Sequence, residues 1–453
     1  MSEKLQQGQI VELEITDLNT HGDGVGRYEG RVVFIPNTVT GDRLTAKIVQ
    51  SKAKFARGTV EKIIAPSPHR LRPSCIVADK CGGCQWQHVN IDYQREAKQQ
   101  QIVQAFERIG GFENLEIQPI LHTEKVLNYR NKSTYPLERS PRNVRAGYYR
   151  QGTHKLINLN QCPVQDKRLD PLLRDVKKDI HARGWSIYNE ATHQGKLRHL
   201  SLRIGQHTGE ILLTLVTTDP SLMDIEAQAQ IWLDKYPNLV GVCLNVNRDR
   251  TNAILGKTTH AILGKSYLRE MFAGVELHIG ADTFFQINTN AAELLLESIV
   301  KQLNLTGSET IVDAYCGIGT FSLPLARMVQ KVIGIELNSA SIEQAQSNAV
   351  LNRIDNAVFY AGRVKNLLPQ ISQADILLLD PPRKGCDALV IDAILRLRPN
   401  RIVYVSCKPS TLARDLKILC ESQMYQVIQI QPADFFPQTT HVECCALLQR
   451  LSA

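Results

Sequence analysis

No stretch of about 18 uninterrupted apolar residues occurs in the 453-residue chain, so no membrane-crossing helix is expected. The opening run Met1-Ser2-Glu3-Lys4-Leu5-Gln6-Gln7 lacks the apolar core of a secretory signal, which makes the cytoplasm the expected compartment. There is no internal repeat and no low-complexity tract, which argues against a solenoid or a disordered scaffold. In a reducing compartment the 11 cysteines do not read as a disulfide framework, and clustered ones point to metal binding or catalysis. The charge excess is modest, +8, and does not by itself identify a nucleic-acid partner. What the chain has is length for two or three domains and 43% hydrophobic residues to fill their cores.

Residues 7–64 alternate in short runs, 9–15, 31–36, 43–49 and 57–64, parted by turn-forming stretches at 19–26 and 37–42. Evenly spaced short strands predict a small β-barrel. With the glycine-rich His21-Gly22-Asp23-Gly24-Val25-Gly26-Arg27, this segment resembles a TRAM domain, an OB-like barrel found on RNA-modifying enzymes. Pro66-Ser67-Pro68 reads as a linker, and a helix is expected over 91–110. Residues 125–150 set Lys125, Arg130, Lys132, Arg139, Arg142, Arg145 and Arg150 among Tyr129, Tyr135, Tyr148 and Tyr149. Cations suit phosphates and aromatic faces stack on unpaired bases; the alternative is a solvated basic surface.

Beyond residue 290 the pattern changes to helix 291–303, strand 310–314, helix 321–330, strand 331–336, helix 339–352, strands 357–360 and 375–380, helix 387–397, strand 400–406 and helix 410–420. Alternation of this kind predicts a mostly parallel, doubly wound sheet. The expected fold class is multidomain α/β: an N-terminal OB-like barrel (1–65), a central α+β domain (66–280) and a C-terminal Rossmann-like domain (281–453).

Three strand ends carry chemistry. Asp313-Ala314-Tyr315-Cys316-Gly317-Ile318-Gly319-Thr320 leads from strand to helix, and Glu336 closes the next strand 23 residues after Asp313. Glycines there let a ligand approach the backbone, and an acid at Glu336 can bind ribose hydroxyls. The third glycine of the dinucleotide fingerprint is missing, with Ser322 and Leu323 in its place, which favours S-adenosylmethionine over NAD. Asp380-Pro381-Pro382-Arg383 ends an apolar strand; enzymes that methylate exocyclic amines carry an aromatic where Arg383 stands. Cys407 ends the strand Val403-Tyr404-Val405-Ser406, and Lys408 beside it would favour the thiolate. Ligands of open α/β sheets bind outside the carboxyl ends of the strands, so the three ends predict one site. Among the six cysteines beyond residue 310, only Cys407 has the strand-end position. Glu443, starting the last strand, could serve as its general base. Cytosine-C5 enzymes carry a Pro-Cys nucleophile, whereas Ser406 precedes Cys407 here.

Cys75, Cys81 and Cys84 follow the spacing C-x5-C-x2-C, with Cys162 a distant fourth thiol. Thiolates hold iron–sulfur clusters and structural zinc; zinc typically takes paired C-x2-4-C knuckles, of which there is one.

Together these residues resemble the RNA uracil-C5 methyltransferases, the family that includes ribosomal-RNA enzymes with an iron–sulfur cluster. The resemblance spans nearly the whole chain. It implies a [4Fe-4S] cluster on Cys75, Cys81, Cys84 and Cys162, and S-adenosylmethionine held by Gln286 (in Phe284-Phe285-Gln286-Ile287-Asn288), Tyr315, Thr320, Glu336, Arg363 and Asp380. It assigns Cys407 as nucleophile and Glu443 as base, and makes the substrate an unpaired or flexible segment of 23S ribosomal RNA. It further implies that the 91–118 helix packs on the catalytic domain. The same reaction on transfer RNA is the alternative, and a non-catalytic iron–sulfur RNA-binding protein the third reading. No protein partner is implied.

Overall fold

A computed structural model describes residues 5–451. They form two compact units. One holds the described residues up to Gln101 with Tyr148–Ile157 and Phe436–His441; the other holds Ile102–Gly147, Asn158–Phe435 and the described residues from Val442.

In the first unit, β1 (Ile10–Leu18), β2 (Gly24–Tyr28), β3 (Arg31–Ile35), β4 (Arg43–Ser51) and β5 (Phe55–Ala65) close a barrel in the order β1-β2-β3-β5-β4. Strand side chains alternate between faces, so Val11, Leu13 and Ile15 of β1 meet Val33, Ile35, Leu44, Ala46 and Ile48 inside. Each such buried aliphatic side chain contributes roughly 1.5–3 kcal/mol. Asp42 fastens the turn before β4: its carboxylate accepts from Val39 N (2.7 Å), Ser67 N (2.9 Å) and Arg70 Nε (3.0 Å). A second cluster of Leu18, Val39, Trp86 and Val89 receives Tyr93 and Ala97 from the first turns of α1 (Ile91–Ala105).

In the second unit, Ile102 near the end of α1 and Phe106 just beyond it join the core of the C-terminal sheet. A single π turn over Phe106–Gly110 ends at Gly111 with φ 67°, so the regular helix stops there and does not reach 118. Next along the chain come β6 (Lys132–Arg139), β7 (Val144–Tyr149), β8 (Leu156–Asn158), α2 (Asp170–Ala182), β9 (Leu197–Ile204), β10 (Ile211–Thr217), α3 (Ile225–Lys235), β11 (Leu239–Val246) and β12 (Thr258–Gly264); residues 148–157 of β7 and β8 belong to the first unit. Their sheet has the order β12-β11-β10-β9-β6-β7-β8, and a hairpin of β13 (Tyr267–Phe272) and β14 (Val275–Gly280) follows.

The C-terminal region runs α4 (Thr289–Leu303), β15 (Thr310–Ala314), α5 (Ser322–Ala326), β16 (Lys331–Glu336), α6 (Ser339–Leu351), β17 (Ala357–Ala361), α7 (Val364–Leu367), β18 (Ile376–Leu379), α8 (Ala388–Leu397), β19 (Arg401–Ser406), α9 (Pro409–Glu421), β20 (Tyr425–Ala433) and β21 (Glu443–Arg450). Asparagine or aspartate side chains cap three of these helices: Asn288 accepts from Ala291 N, Asn338 from Ala340 N and Asp387 from Leu389 N. The helix expected over 321–330 is shorter, ending at Ala326. The sheet order is β17-β16-β15-β18-β19-β21-β20, with β21 antiparallel to both neighbours. The strand order reverses between β15 and β18, the place where a doubly wound sheet opens a crevice. Residues after the π turn run beside β20, where Gln118 N donates to Ile430 O (2.8 Å) and Leu121 N to Pro432 O (2.9 Å). Among the described residues no helix is long and apolar enough to cross a membrane.

Candidate active site

A cavity of about 770 Å³ opens at the carboxyl ends of β15, β16, β18 and β19, the position the reversal of strand order dictates. Gln286, Tyr315, Glu336, Arg363, Asp380, Cys407 and Glu443 all line it. Thr320 does not; it is buried in the turn that leads into α5.

At the end of β15 the backbone turns sharply. Tyr315 sits at φ 80°, a costly conformation for a side-chain-bearing residue, and its N–H donates to Ile335 O at 2.8 Å. Gly317 (φ 55°) and Gly319 (φ 83°) complete the turn at no such cost. Under it lies Asp313, hydrogen-bonded by the Ser322 hydroxyl. Burial pushes its carboxyl up to about 7, against the Ser322 bond and with the charge of Glu336 adding. At the end of β16, Glu336 accepts from Asn338 N (2.9 Å).

Gln286 precedes α4. Its carbonyl takes the Asn131 amide (2.8 Å), and that amide also reaches Thr289 Oγ1 (3.0 Å). So fixed, Gln286 Nε2 donates to Asp380 Oδ2 at 3.2 Å. Burial pushes Asp380 up to about 7, helped by the charge of Asp313 and opposed by the Gln286 bond.

Cys407 and Glu443 meet through the sheet. Antiparallel pairing sets Ser406 opposite Cys444, so extending the register by one residue sets Cys407 opposite Glu443. Burial pushes the Cys407 thiol up, and the charge of Glu443 adds to this. The Arg383 guanidinium, hydrogen-bonded to the thiol, pulls it down, while Asp380 adds a further rise. Burial likewise pushes Glu443 up to about 8, with Asp380 adding and Arg383 opposing. The arrangement pairs a thiol with a carboxyl that binds its proton tightly near neutrality, and one cation faces both.

That cation corrects an expectation. Lys408 was expected to favour the thiolate, but Lys408 does not line the cavity; its carbonyl accepts from the Ser406 and Thr411 hydroxyls at the start of α9. Arg383, which in the sequence stands out only for displacing an aromatic, takes that position from the end of another strand. The cavity rim also carries an ion pair, Lys365 Nζ to Asp387 Oδ2 at 3.3 Å, that no sequence signal marks.

The four cysteines that the resemblance names as cluster ligands lie away from this cavity. Among the described residues no three His, Cys, Asp or Glu side chains gather closely enough to hold a metal ion. Cys75, Cys81 and Cys84 occupy a string of turns in the first unit, and Cys162 is buried in the second. Cys81 Sγ accepts from Gly83 N (3.4 Å) and Cys84 Sγ from the Gln87 amide (3.7 Å). Burial pushes the Cys81 thiol up, opposed by the Gly83 bond and helped by Cys75.

Residues 4–60 match the TRAM domain family, and residues 251–367 and 361–451 match the tRNA (uracil-5-)-methyltransferase family. An uncharacterized RNA methyltransferase of Nostoc sp. is 56% identical over 98% of this chain and 96% of its own length. Another, of Bacillus cereus, is 38% identical over 100% of this chain and 99% of its own. The crystal structure of Pyrococcus abyssi tRNA (uracil-54, C5)-methyltransferase in complex with S-adenosyl-L-homocysteine aligns with a TM-score of 0.77 at 28% identity, covering 97% of this chain and 100% of that one.

Proposed function

Since this chain belongs to the RNA (uracil-5-)-methyltransferase family, we propose that it methylates uracil C5 in RNA through a covalent bond from Cys407 to uracil C6. The observation that carries this reading is the juxtaposition of Cys407, Glu443 and Arg383 in one cavity. S-adenosylmethionine supplies the methyl group as an electrophilic sulfonium, and the S-adenosyl-L-homocysteine bound to the Pyrococcus enzyme supports that choice. The cavity suits it: Glu336 and Asp380 offer acceptors to a cationic, ribose-bearing ligand, and Gln286 steadies Asp380.

Uracil C5 is a poor nucleophile until something adds to C6. The Cys407 thiolate adds there, and the electron pair of the C5–C6 double bond moves toward O4 as an enolate. The enolate's C5 forms the new carbon–carbon bond to methyl as the methyl–sulfonium bond breaks, its electron pair staying on sulfur and the neutral thioether S-adenosylhomocysteine leaving. Glu443, ionised, then takes the proton from C5; the double bond reforms and the carbon–sulfur bond breaks, releasing the Cys407 thiolate. Arg383 stabilises the thiolate at both ends of the cycle. The base must leave its stack to reach Cys407, so the target is an unpaired or flexible segment.

We assign 23S ribosomal RNA as the target, on the TRAM barrel the chain carries and its resemblance to ribosomal-RNA enzymes. Similarity to the Pyrococcus enzyme favours a second target, transfer RNA. The third reading, a non-catalytic binder, conflicts with an intact thiol–carboxyl pair. A cluster on Cys75, Cys81, Cys84 and Cys162 stays part of this reading, on the C-x5-C-x2-C spacing of the first three and the resemblance, and takes no part in the reaction. Mapping 5-methyluridine in ribosomal and transfer RNA from cells lacking this protein decides between targets. Loss from 23S RNA alone supports the assignment, loss from transfer RNA alone supports the second reading, and no loss from either contradicts both.

A further inference from the structure

Asp415 lies in the second turn of α9, is 1% exposed and takes no direct part in the reaction above. Its Oδ2 accepts from Cys386 N (2.8 Å) and from the Tyr404 hydroxyl (2.6 Å). Its Oδ1 accepts from Arg414 Nε (2.8 Å) and Nη2 (2.6 Å), and the same Nη2 donates to Lys384 O (2.9 Å). Residues 384 and 386 are therefore both tied to the 414–415 pair.

The segment so held is the tight turn that follows Asp380. Gly385 N donates to Pro382 O (2.8 Å), and Gly385 adopts φ 79°. A Cβ on Gly385 would lie 2.4 Å from Asp415 Oδ2 and 2.6 Å from Arg414 Nη2, so the turn is seated on the carboxylate with no slack. Arg383 belongs to this turn, and its guanidinium is the group hydrogen-bonded to Cys407. Tyr404, the other donor to Asp415, is three residues before Cys407 on β19. One buried carboxylate thus joins the turn that carries the cation to the strand that carries the thiol. Charge-assisted bonds in a dry setting are the strong, geometry-setting ones.

We propose that Asp415, with Arg414, is a positioning residue that holds the 382–386 turn in the register that brings the Arg383 guanidinium to the Cys407 thiol. The proposal rests on reading Cys407 as the reactive thiol. The charged groups facing Cys407 are Glu443, Arg383 and Asp380; the charged and titratable groups facing Asp415 are Arg414, Tyr404, Cys386 and Tyr315. Loss of Asp415 leaves the groups around the thiol in place and removes the fixed position of one, Arg383. The thiol then keeps its burial and its acidic neighbours with less of the opposing cation, and its proton is held more tightly.

The test is alkylation of Cys407 by iodoacetamide in the full-length protein without RNA or methyl donor, followed by mass spectrometry of the Cys407 peptide across a pH series. Arg383→Ala is expected to slow alkylation near neutral pH and move its midpoint upward. Asp415→Asn and Arg414→Ala are expected to do the same, by about threefold or more in rate, since thiolate abundance sets the rate. The Arg414 side chain is 47% exposed, so its truncation keeps a folded variant available. The double variant Arg383→Ala/Asp415→Asn is expected to match Arg383→Ala, because the clamp acts through Arg383. A folded Asp415→Asn or Arg414→Ala that alkylates as the wild type does overturns the proposal. So does a double variant slowed by both factors multiplied. Alkylation needs no uracil, so failure of the methylation reading leaves this result standing, and the reverse holds too.

Discussion

Asp42 in the barrel unit and Glu443 in the catalytic sheet are both buried carboxylates, and their protons are pushed in opposite directions. Burial raises both. At Asp42 the bonds from Arg70, Ser67 and Val39 outweigh it, and the carboxyl titrates below its ordinary value. At Glu443 the charge of Asp380 adds to burial, Arg383 does not offset the two, and the carboxyl rises to about 8. A buried acid saturated with donors is a structural staple. A buried acid left beside another acid is a stored affinity for a proton, and that is what a base acting near neutrality requires.

The comparison predicts which region loses function and which loses stability. The largest effect is expected for Cys407→Ala: methyl transfer falls by at least about a thousandfold while the unfolding midpoint stays put, since the nucleophile carries the chemistry and little packing. Methyl-group incorporation into RNA and thermal unfolding check the two halves. Asp42→Ala should do the reverse. Removing one partner of a buried pair costs about 2–4 kcal/mol, discounted for the partial exposure of Arg70, with methyl transfer per folded molecule near wild type.

Next is the dependence of stability on pH. Asp42, lowered in the fold, contributes stability that is present above its ordinary carboxylate value and lost as pH falls through its folded value. Asp313, Asp380 and Glu443, raised in the fold to about 7, about 7 and about 8, contribute stability present below the ordinary carboxylate value and lost as pH rises through those values. Urea unfolding between about pH 5 and about pH 9 should show a decline toward alkaline pH that Glu443→Gln flattens by about 1 kcal/mol or more. Activity should run the other way, rising toward pH 8 as Glu443 ionises. The smallest effect, a shift in alkylation of Cys407, is that of the Asp415 clamp.

Much of the catalytic region is legible in the sequence because strand ends punctuate it. Tyr315, Asp380 and Cys407 each follow an apolar run, and the doubly wound pattern places such ends together. Glu443 opens a strand rather than ending one, and reads as a base only through its reach to the same crevice and through the resemblance. Arg383 was not legible, because sequence proximity pointed to Lys408 while the neighbour in space comes from another strand's turn. Thr320 was assigned by resemblance, and burial in the turn keeps it out of the cavity. β20 alternates polar and apolar residues and carries the period of a strand; the preceding helix pattern masked it. Asp415 gave no signal at all: an acid in an amphipathic helix reads as solvated, and its burial follows from where the 382–386 turn lands.

The central claim is that Cys407 bonds to the base and Glu443 frees it. Glu443→Gln, incubated with RNA and S-adenosylmethionine, tests it most directly, with the products run on a denaturing gel and the bonded peptide identified by mass spectrometry. The account predicts a slow-migrating protein–RNA adduct attached at Cys407 and absent from Cys407→Ala/Glu443→Gln. Continued turnover by Glu443→Gln, or an adduct at any other residue, would contradict it.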